Sequence, residues 1–279
     1  MRAVGLMLAL LSASSAFAAP AQAQPAPGRE RIDFTAYTMR GQAAQIGIGA
    51  AAYGVTDELT VGTYVVPWLA SPILGAPIVT AFVKGRDWLH GPLAGSVRAT
   101  VVYANAGELS DALSGGDSGS AQLWMVPLEL SGSLLVSPAF TQSLQLTWVF
   151  IDVDGESGAE VDVGFGAAAA ATSASLSSLS ELRVTRVTSL TLRLNLLLGY
   201  SNVAIDGQLE RDGTQVTADL GEDPDRRDFV ANFIPGVAFH WAHVALHLGV
   251  GVGAPWLPIA GIPIHTTTVV PDLDFYVRF

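Results

Sequence analysis

The chain has 279 residues, 50% of them hydrophobic and 14% charged, with no cysteine and a formal net charge of −11. Soluble domains carry about 25% charged residues, so the composition argues against a typical cytosolic enzyme, and the acidic field opposes a non-specific grip on nucleic-acid phosphates. Without cysteine there is no disulfide framework, thiolate metal site, cysteine nucleophile or lipid-modified N-terminal cysteine.

Residues 1–23 read as a cleavable signal peptide. Arg2 is the only charge before Arg29, Val4 to Leu11 is an apolar core too short to span a bilayer, and Ala21-Gln22-Ala23 offers an A-x-A cleavage site, with Ala16-Phe17-Ala18 as a second candidate. The mature chain is then 24–279, one unit more acidic and exported.

An exported chain this apolar is expected in a membrane, where only helices or a closed barrel satisfy every backbone N–H and C=O. The longest helix candidate, Val65 to Val83, holds no charge, but Pro67, Pro72 and Pro77 recur through it with Gly75 among them. A proline inside a helix costs about 3 kcal/mol, so this stretch reads as two strand ends and a turn. Trp241 to Ile264 is broken in the same way by Gly249, Gly251, Gly253, Pro255, Pro258 and Pro263.

Period-two patterning is far stronger. Leu190, Leu192, Leu194, Leu196 and Leu198 alternate with Thr191, Arg193 and Asn195, with Leu197 as the one exception. Trp124, Val126, Leu128, Leu130, Leu134 and Val136 stand against Glu129, Ser131 and Ser133. Leu144, Leu146, Trp148 and Phe150 stand against Ser143, Gln145 and Thr147, and Val97, Val101 and Tyr103 against Ser96, Arg98 and Thr100. One parity suits lipid and the other an enclosed polar interior. A soluble sandwich also alternates, but it places charge on its polar parity. Here charge gathers between strands: 206–228 holds eight acids and three arginines, with smaller polar connections at 105–120 and 152–162.

Twelve strands are expected, at 43–53, 58–67, 76–85, 93–104, 121–136, 140–151, 160–172, 187–200, 203–218, 229–239, 243–253 and 267–279, with 10 to 14 as the range. The fold class is therefore all-β, a transmembrane antiparallel up-and-down barrel forming a single domain over 24–279. An even strand number suits a bacterial single-chain barrel, and at this size the lumen is narrow enough for side chains or an inserted loop to fill it.

The last strand is the most specific signal. Leu273, Phe275, Val277 and Phe279 alternate with Asp272, Asp274, Tyr276 and Arg278. This ending resembles the Gram-negative outer-membrane β-barrel proteins, the porin-like superfamily, whose last strand closes on Phe and is read by the barrel-assembly machinery. Tyr53-Gly54-Val55-Thr56-Asp57-Glu58-Leu59-Thr60-Val61-Gly62 is similar to the tight periplasmic turns of such barrels. The Gly and Asp there have a local rationale, since Gly accepts positive φ and Asp caps its own turn. The resemblance implies an outer-membrane location, with outer-membrane lipid and the assembly machinery as partners and Leu273, Phe275, Val277 and Phe279 as the assembly signal.

Apparent chemical motifs are weaker. Gly116-Asp117-Ser118-Gly119 resembles the nucleophile loop of chymotrypsin-like proteases but lacks a supporting His context. The acids Asp152, Asp154, Glu156, Glu160 and Asp162 miss EF-hand spacing because Gly155 comes two places early. His243 and His247 on one strand would lie about 13 Å apart and cannot share a metal, while His240 and His243 flank a tight turn. No cofactor, metal or catalytic residue is expected.

The primary reading is a narrow, passive or plugged channel for small solutes, with Arg98, Glu129, Arg193, His243, His247, Asp274 and Arg278 facing the lumen and setting its selectivity. The alternatives are a structural or adhesive barrel displaying the acidic 203–228 loop, and a lipid-directed barrel hydrolase.

Overall fold

The computed structural model describes residues 32–74, 77–105, 120–156, 163–164, 171–201, 207–211, 214–218, 230–253, 256–257, 262–263 and 268–279. The signal peptide, the Gly116–Gly119 motif, the side chains of the 152–162 acids and those of the 203–228 loop lie outside the described residues.

Twelve strands form the wall: β1 Ala44–Gly47, β2 Ala50–Gly54, β3 Leu59–Tyr64, β4 Ile78–His90, β5 Leu93–Asn105, β6 Ser120–Ser137, β7 Phe140–Glu156, β8 Ala171–Arg183, β9 Thr188–Ser201, β10 Val230–His240, β11 Val244–Gly253 and β12 Thr268–Arg278. Each pairs antiparallel with its sequence neighbours, and β12 returns to β1. Ala44 and Phe279 exchange backbone hydrogen bonds of 3.2 and 2.9 Å, which closes the ring. A three-stranded sheet of Val163–Gly164, Gly207–Arg211 and Thr214–Ala218 and a hairpin of Trp256–Leu257 with Ile262–Pro263 lie in the connections.

The strand total matches the expectation while its make-up differs. The 43–53 segment is two strands, folded at Ile48-Gly49. The 203–218 segment is no part of the wall; its two short strands belong to the separate sheet. In place of 160–172 the wall uses β8, ATSASLSSLSELR, whose serines occupy both parities and erase the alternation. Its outward Ser178 and Ser180 are masked because they stand beside Leu144, Leu192 and Leu194 of the neighbouring strands, and both bond Gln142, at 2.8 and 2.6 Å. Serine is tolerated there because larger neighbours carry the lipid contact.

The second correction is at 65–77. Val65–Leu74 is a helix, α1, not a strand end and turn. Pro67 falls in its first turn, where an N–H has no intrahelical partner to lose, and only Pro72 sits inside. At ten residues α1 is far too short to span.

Short turns gather at one end of the barrel and the long connections at the other. The 53–62 motif does make such a turn, between β2 and β3, but by other means than expected. Thr56 Oγ1 accepts the N–H groups of Glu58 and Leu59 at 3.2 and 3.1 Å, while Asp57 reaches Gly41 N at 2.9 Å. Gly54 has no positive φ; its missing Cβ leaves space for the Arg40 carbonyl. Positive φ is used at Gly91, +56°, in the two-residue turn from β4 to β5.

The leucines of the 190–198 stretch face outward as alternation requires, Leu190, Leu194 and Leu198 being exposed, while Thr191, Asn195 and the exceptional Leu197 are buried inside. Trp124 to Val136 on β6 covers about 40 Å of strand at 3.3 Å per residue, which at a tilt near 45° is close to the 25 Å apolar band of such barrels. Inside, hydroxyls and amides dominate: Ser131, Ser133, Ser143, Gln145, Thr147, Ser177 and Thr191 are all buried.

Strands β1 to β3 are short and build only the half of the wall next to the turns. On the β1 side, β12 is paired from Phe279 up to Phe275, whose carbonyl accepts Ile48 N at 2.9 Å. Above that, no described strand joins this edge. The facing edge of β4 is finished by side chains: Ser71 Oγ of α1 bonds Ile78 N at 2.8 Å and Ile78 O at 3.3 Å, and Thr63 Oγ1 donates to Thr80 O at 2.5 Å.

Arginine at outward position 194 should lower folding stability in phospholipid vesicles by about 2–4 kcal/mol, against roughly 0–1 kcal/mol for Val184→Arg in a turn near the interface. Urea titration of the two variants reads the difference.

Candidate functional site: the lumen and the segment 32–40

The segment from Ile32 to Arg40 does not continue away from the first strand. It folds back inside the barrel, and Ile32, Thr35, Ala36, Tyr37, Thr38 and Met39 are all buried. A chain without secondary structure inside a lumen must have its backbone groups satisfied by the wall, and here side chains of the inward parity supply the partners. Ser133 Oγ accepts Ala36 N at 2.8 Å and Thr60 Oγ1 accepts Met39 N at 2.8 Å. Thr38 Oγ1 donates to Asp57 O at 2.6 Å. Lys84, fully enclosed, donates from Nζ to the carbonyls of Ile32 and Thr35, both at 2.5 Å.

The strongest tie is ionic. Strand register places Arg98 directly opposite Glu129, and the guanidinium grips that carboxylate with two bonds, Nε to Oε2 and Nη2 to Oε1, each 2.8 Å. Its remaining arm, Nη1, reaches Asp33 Oδ1 of the inserted segment at 2.6 Å. The planar fork of arginine suits this double duty, which a lysine could not perform. Tyr64 and Phe82 lie beside the same guanidinium, 5.7 and 5.5 Å from their ring centroids.

A second charged group holds the neighbouring residue. Arg193 lies over the Phe34 ring at 4.5 Å and pairs through Nη2 with Asp272 Oδ2 at 3.3 Å. The same Asp272 oxygen is 3.3 Å from His247 Nδ1, and His247 Nε2 is 2.9 Å from Thr191 Oγ1. Phe34 is held at φ +61°, a left-handed conformation that costs a non-glycine residue on the order of 1–3 kcal/mol and persists only where its surroundings over-determine it. Asp33 on Arg98 and the ring under Arg193 provide that determination.

Hydroxyl, imidazole and carboxylate in the order Thr191, His247, Asp272 have the connectivity of a nucleophile triad. Access decides against it. Thr191 and His247 are only 6% and 5% exposed, and a Cβ added at Gly236 would fall 2.8 Å from Thr191 Oγ1 and 2.9 Å from His247 Nε2, so the β10 backbone packs against the pair. The arrangement ties β9, β11 and β12 together.

Above the inserted segment lies a cavity of about 430 Å³. Asp33 and Phe34 form its floor; Arg98, Glu129, Arg193, Asp272 and Asp274 bring charge to it. Of the remaining residues expected in the lumen, Arg278 stands apart near the turn end, bonded to Tyr276 OH at 3.1 Å with its guanidinium 4.8 Å from that ring. His247 lies in the wall tie just described. His243 does not face the lumen: β11 starts one residue later, at Val244, and His243 sits exposed in the turn after His240. His240 is buried and approaches Glu181 at 3.5 Å, not His243. Leu273, Phe275 and Phe279 point outward and are exposed.

Sequence reasoning missed Asp33, Phe34, Lys84 and Asp272 as members of this site. Lys84 was within reach, being a lone lysine on the polar parity of an expected strand. Asp33 and Phe34 precede the first strand and carry no periodic signal.

Replacing Arg98 by Ala takes the cation from two carboxylates and should destabilise the barrel by about 3–5 kcal/mol, whereas exchanging Arg98 and Glu129 together for Met should recover only the share due to Glu129, since Asp33 still loses its Arg98 bond. Urea unfolding of the two variants in detergent measures both.

No family model and no curated protein matches the sequence. Solved structures similar to the chain include the CymD monoaromatic hydrocarbon channel (8% identity, TM-score 0.43, covering 86% of this chain and 87% of that one) and the toluene transporter TodX of Pseudomonas putida (9%, 0.41, 85% and 84%). They also include outer-membrane expressed OmpT of Vibrio cholerae (10%, 0.37), where 84% of this chain is covered but less than two thirds of OmpT, 63%. At these identities and scores the likeness adds nothing to the closed barrel seen in the chain's own strand pairing, and the site is read from its own residues.

Proposed function

We propose that the protein is an outer-membrane channel for small solutes, held closed at its turn end by the segment 32–40. The observation that carries this reading is the floor of the cavity. Asp33 and Phe34 lie across the lumen on two arginine contacts, Arg98 and Arg193, so axial passage requires the segment to leave. Both ties are polar or cation–π contacts that water can replace, while Ile32 and Met39 pack with Ala50, Ala52 and Phe82, and Ala36 and Tyr37 with Ala94, which holds the stopper in place. With the short turns toward the periplasm and the long connections outside, as bacterial barrels are oriented, the stopper sits on the periplasmic side. Arg98, Glu129, Arg193, Asp272 and Asp274 then line the path and set its field.

Planar-bilayer recording tests the proposal. The intact barrel should show small or rare openings, and deletion of residues 32–40 should raise single-channel conductance several-fold. A deleted barrel that inserts and stays silent would overturn it.

The outward row Leu273, Phe275, Val277 and Phe279 serves in this reading as the signal for the assembly machinery. Removing Phe279 should reduce the yield of folded, heat-modifiable barrel in outer-membrane fractions while leaving secretion across the inner membrane unchanged, as read by gel mobility with and without boiling.

A further inference from the structure

The cavity over the inserted segment is unevenly supplied with hydrogen-bonding partners. Strand register sets Gln145 of β7 opposite Ser177 of β8, Ser177 opposite Asn195 of β9 and Asn195 opposite Asn232 of β10, so a row of amides and a hydroxyl crosses four neighbouring strands on the inner face. All four line the cavity, at 4%, 6%, 6% and 7% exposure. In Gln145 and Asn195 the amide nitrogens have partners and the amide oxygens do not. Gln145 donates from Nε2 to Thr147 Oγ1 at 3.1 Å, and Asn195 donates from Nδ2 to Asn232 Oδ1 at 2.5 Å. Gln145 Oε1 and Asn195 Oδ1 are buried and accept no hydrogen bond from any described residue. Asp272 Oδ2 is a third such acceptor, with Arg193 Nη2 and His247 Nδ1 standing 3.3 Å away in ion-pair contact alone. Buried acceptors are rarely left unmet in a folded protein. Three of them on the lining of one cavity mark a place where donors come from outside the chain.

Charge selects among donors. Around the floor two cations, Arg98 and Lys84, stand with two carboxylates, Asp33 and Glu129. On the β12 side Asp272 and Asp274 stand with one cation, Arg193, which is already engaged by Asp272 and by the Phe34 ring. Counting His247 as neutral, the described residues here hold four carboxylates against three cations, and the excess lies on β12. A lumen with walls of low dielectric focuses the field of such an excess. An ammonium group answers both features, since it brings three donors, no acceptor and a positive charge. A hydroxyl brings one donor and no charge. A carboxylate brings only acceptors, to a lining that already has unmet ones.

We propose that the cavity is a binding site for a small organic cation bearing ammonium groups, held between the β12 carboxylates and the amide oxygens of Gln145 and Asn195. This rests on the reading of the lumen as a path for small solutes and names the class of solute. Terminal amides turn over a broad range about their last side-chain torsion, so Oε1 and Oδ1 can swing onto the cation with the backbone in place. Pro127, Ile234 and Val270 on the same lining meet the methylenes between the ammonium groups. The volume, about 430 Å³, lies within the range of small-molecule sites.

Three probes of one chain length separate charge from size: 1,5-diaminopentane, 1,5-pentanediol and glutarate. Isothermal titration of each into the whole barrel, folded in detergent at neutral pH, reads binding without any need for conduction. The diamine should bind at least about tenfold tighter than the diol, the scale of one hydrogen bond to a charged group, and glutarate should give no heat of binding. Asp274→Asn should weaken the diamine by about tenfold on the same ground. Asn195→Leu removes an acceptor at similar size and should weaken it several-fold. Gln145→Met does the same across the row and stands in should the first variant lose its fold, as judged by gel mobility with and without boiling. The ranking of the three probes by the unsubstituted barrel needs no variant at all. Equal affinity for diamine and diol, or a preference for glutarate, would overturn the proposal. So would diamine binding that survives every substitution, which would assign it to the acidic 203–228 segment, or binding that falls with Asp274→Asn alone, which would leave a diffuse field and no built site. Binding by a barrel that stays silent in bilayers keeps the site and removes the channel, whereas conduction without preference for the diamine removes the site alone.

Discussion

Every backbone N–H and C=O that meets hydrocarbon must find a partner inside the protein, and this structure is organised around meeting that demand. Closure of β12 on β1 through Ala44 and Phe279 meets it over the turn-side half of the wall. Where β1 to β3 stop short, the hydroxyls of Thr63 and Ser71 bond Thr80 O and Ile78 N of β4, and proline at 271 removes one N–H from the edge of β12. The same demand inside the lumen explains the inserted segment's contacts, since an irregular chain can remain there only while residues such as Ser133, Thr60 and Lys84 take its polar groups.

Charge in the interior is arranged in linked groups. Arg98 joins Glu129 of the wall to Asp33 of the insert, and Arg193 joins Asp272 to the Phe34 ring. An ion taken out of water without a partner is expensive, so the guanidiniums of Arg98 and Arg193 are both matched, and the matching partner on one side belongs to the inserted segment. The pairing within the wall and the hold on the inserted segment therefore share the same side chains. The left-handed Phe34 between the two arginines marks the point where backbone strain is balanced by those contacts.

Much of the wall was legible as period-two alternation. The leucines of β9, the Trp124 to Val136 row of β6 and the terminal row of β12 each needed nothing beyond side-chain polarity, because lipid on one side and an enclosed interior on the other impose opposite demands on successive residues. Legibility failed where that contrast is relaxed. On β8, serine faces outward under the cover of larger neighbours; at 65–74, proline was read as breaking a helix although Pro67 stands in a first turn that has no donor to lose.

The sequence by itself determined the class of fold, the outward and inward faces of most strands and the polar character of the interior, since these follow from local alternation. Only the tertiary structure decided which polar residues meet. Arg98 reaches Asp33 across 65 positions, and Arg193, Asp272 and His247 converge from three strands. Such pairings depend on strand register, barrel closure and the return of the N-terminal segment into the lumen, none of which leaves a periodic trace.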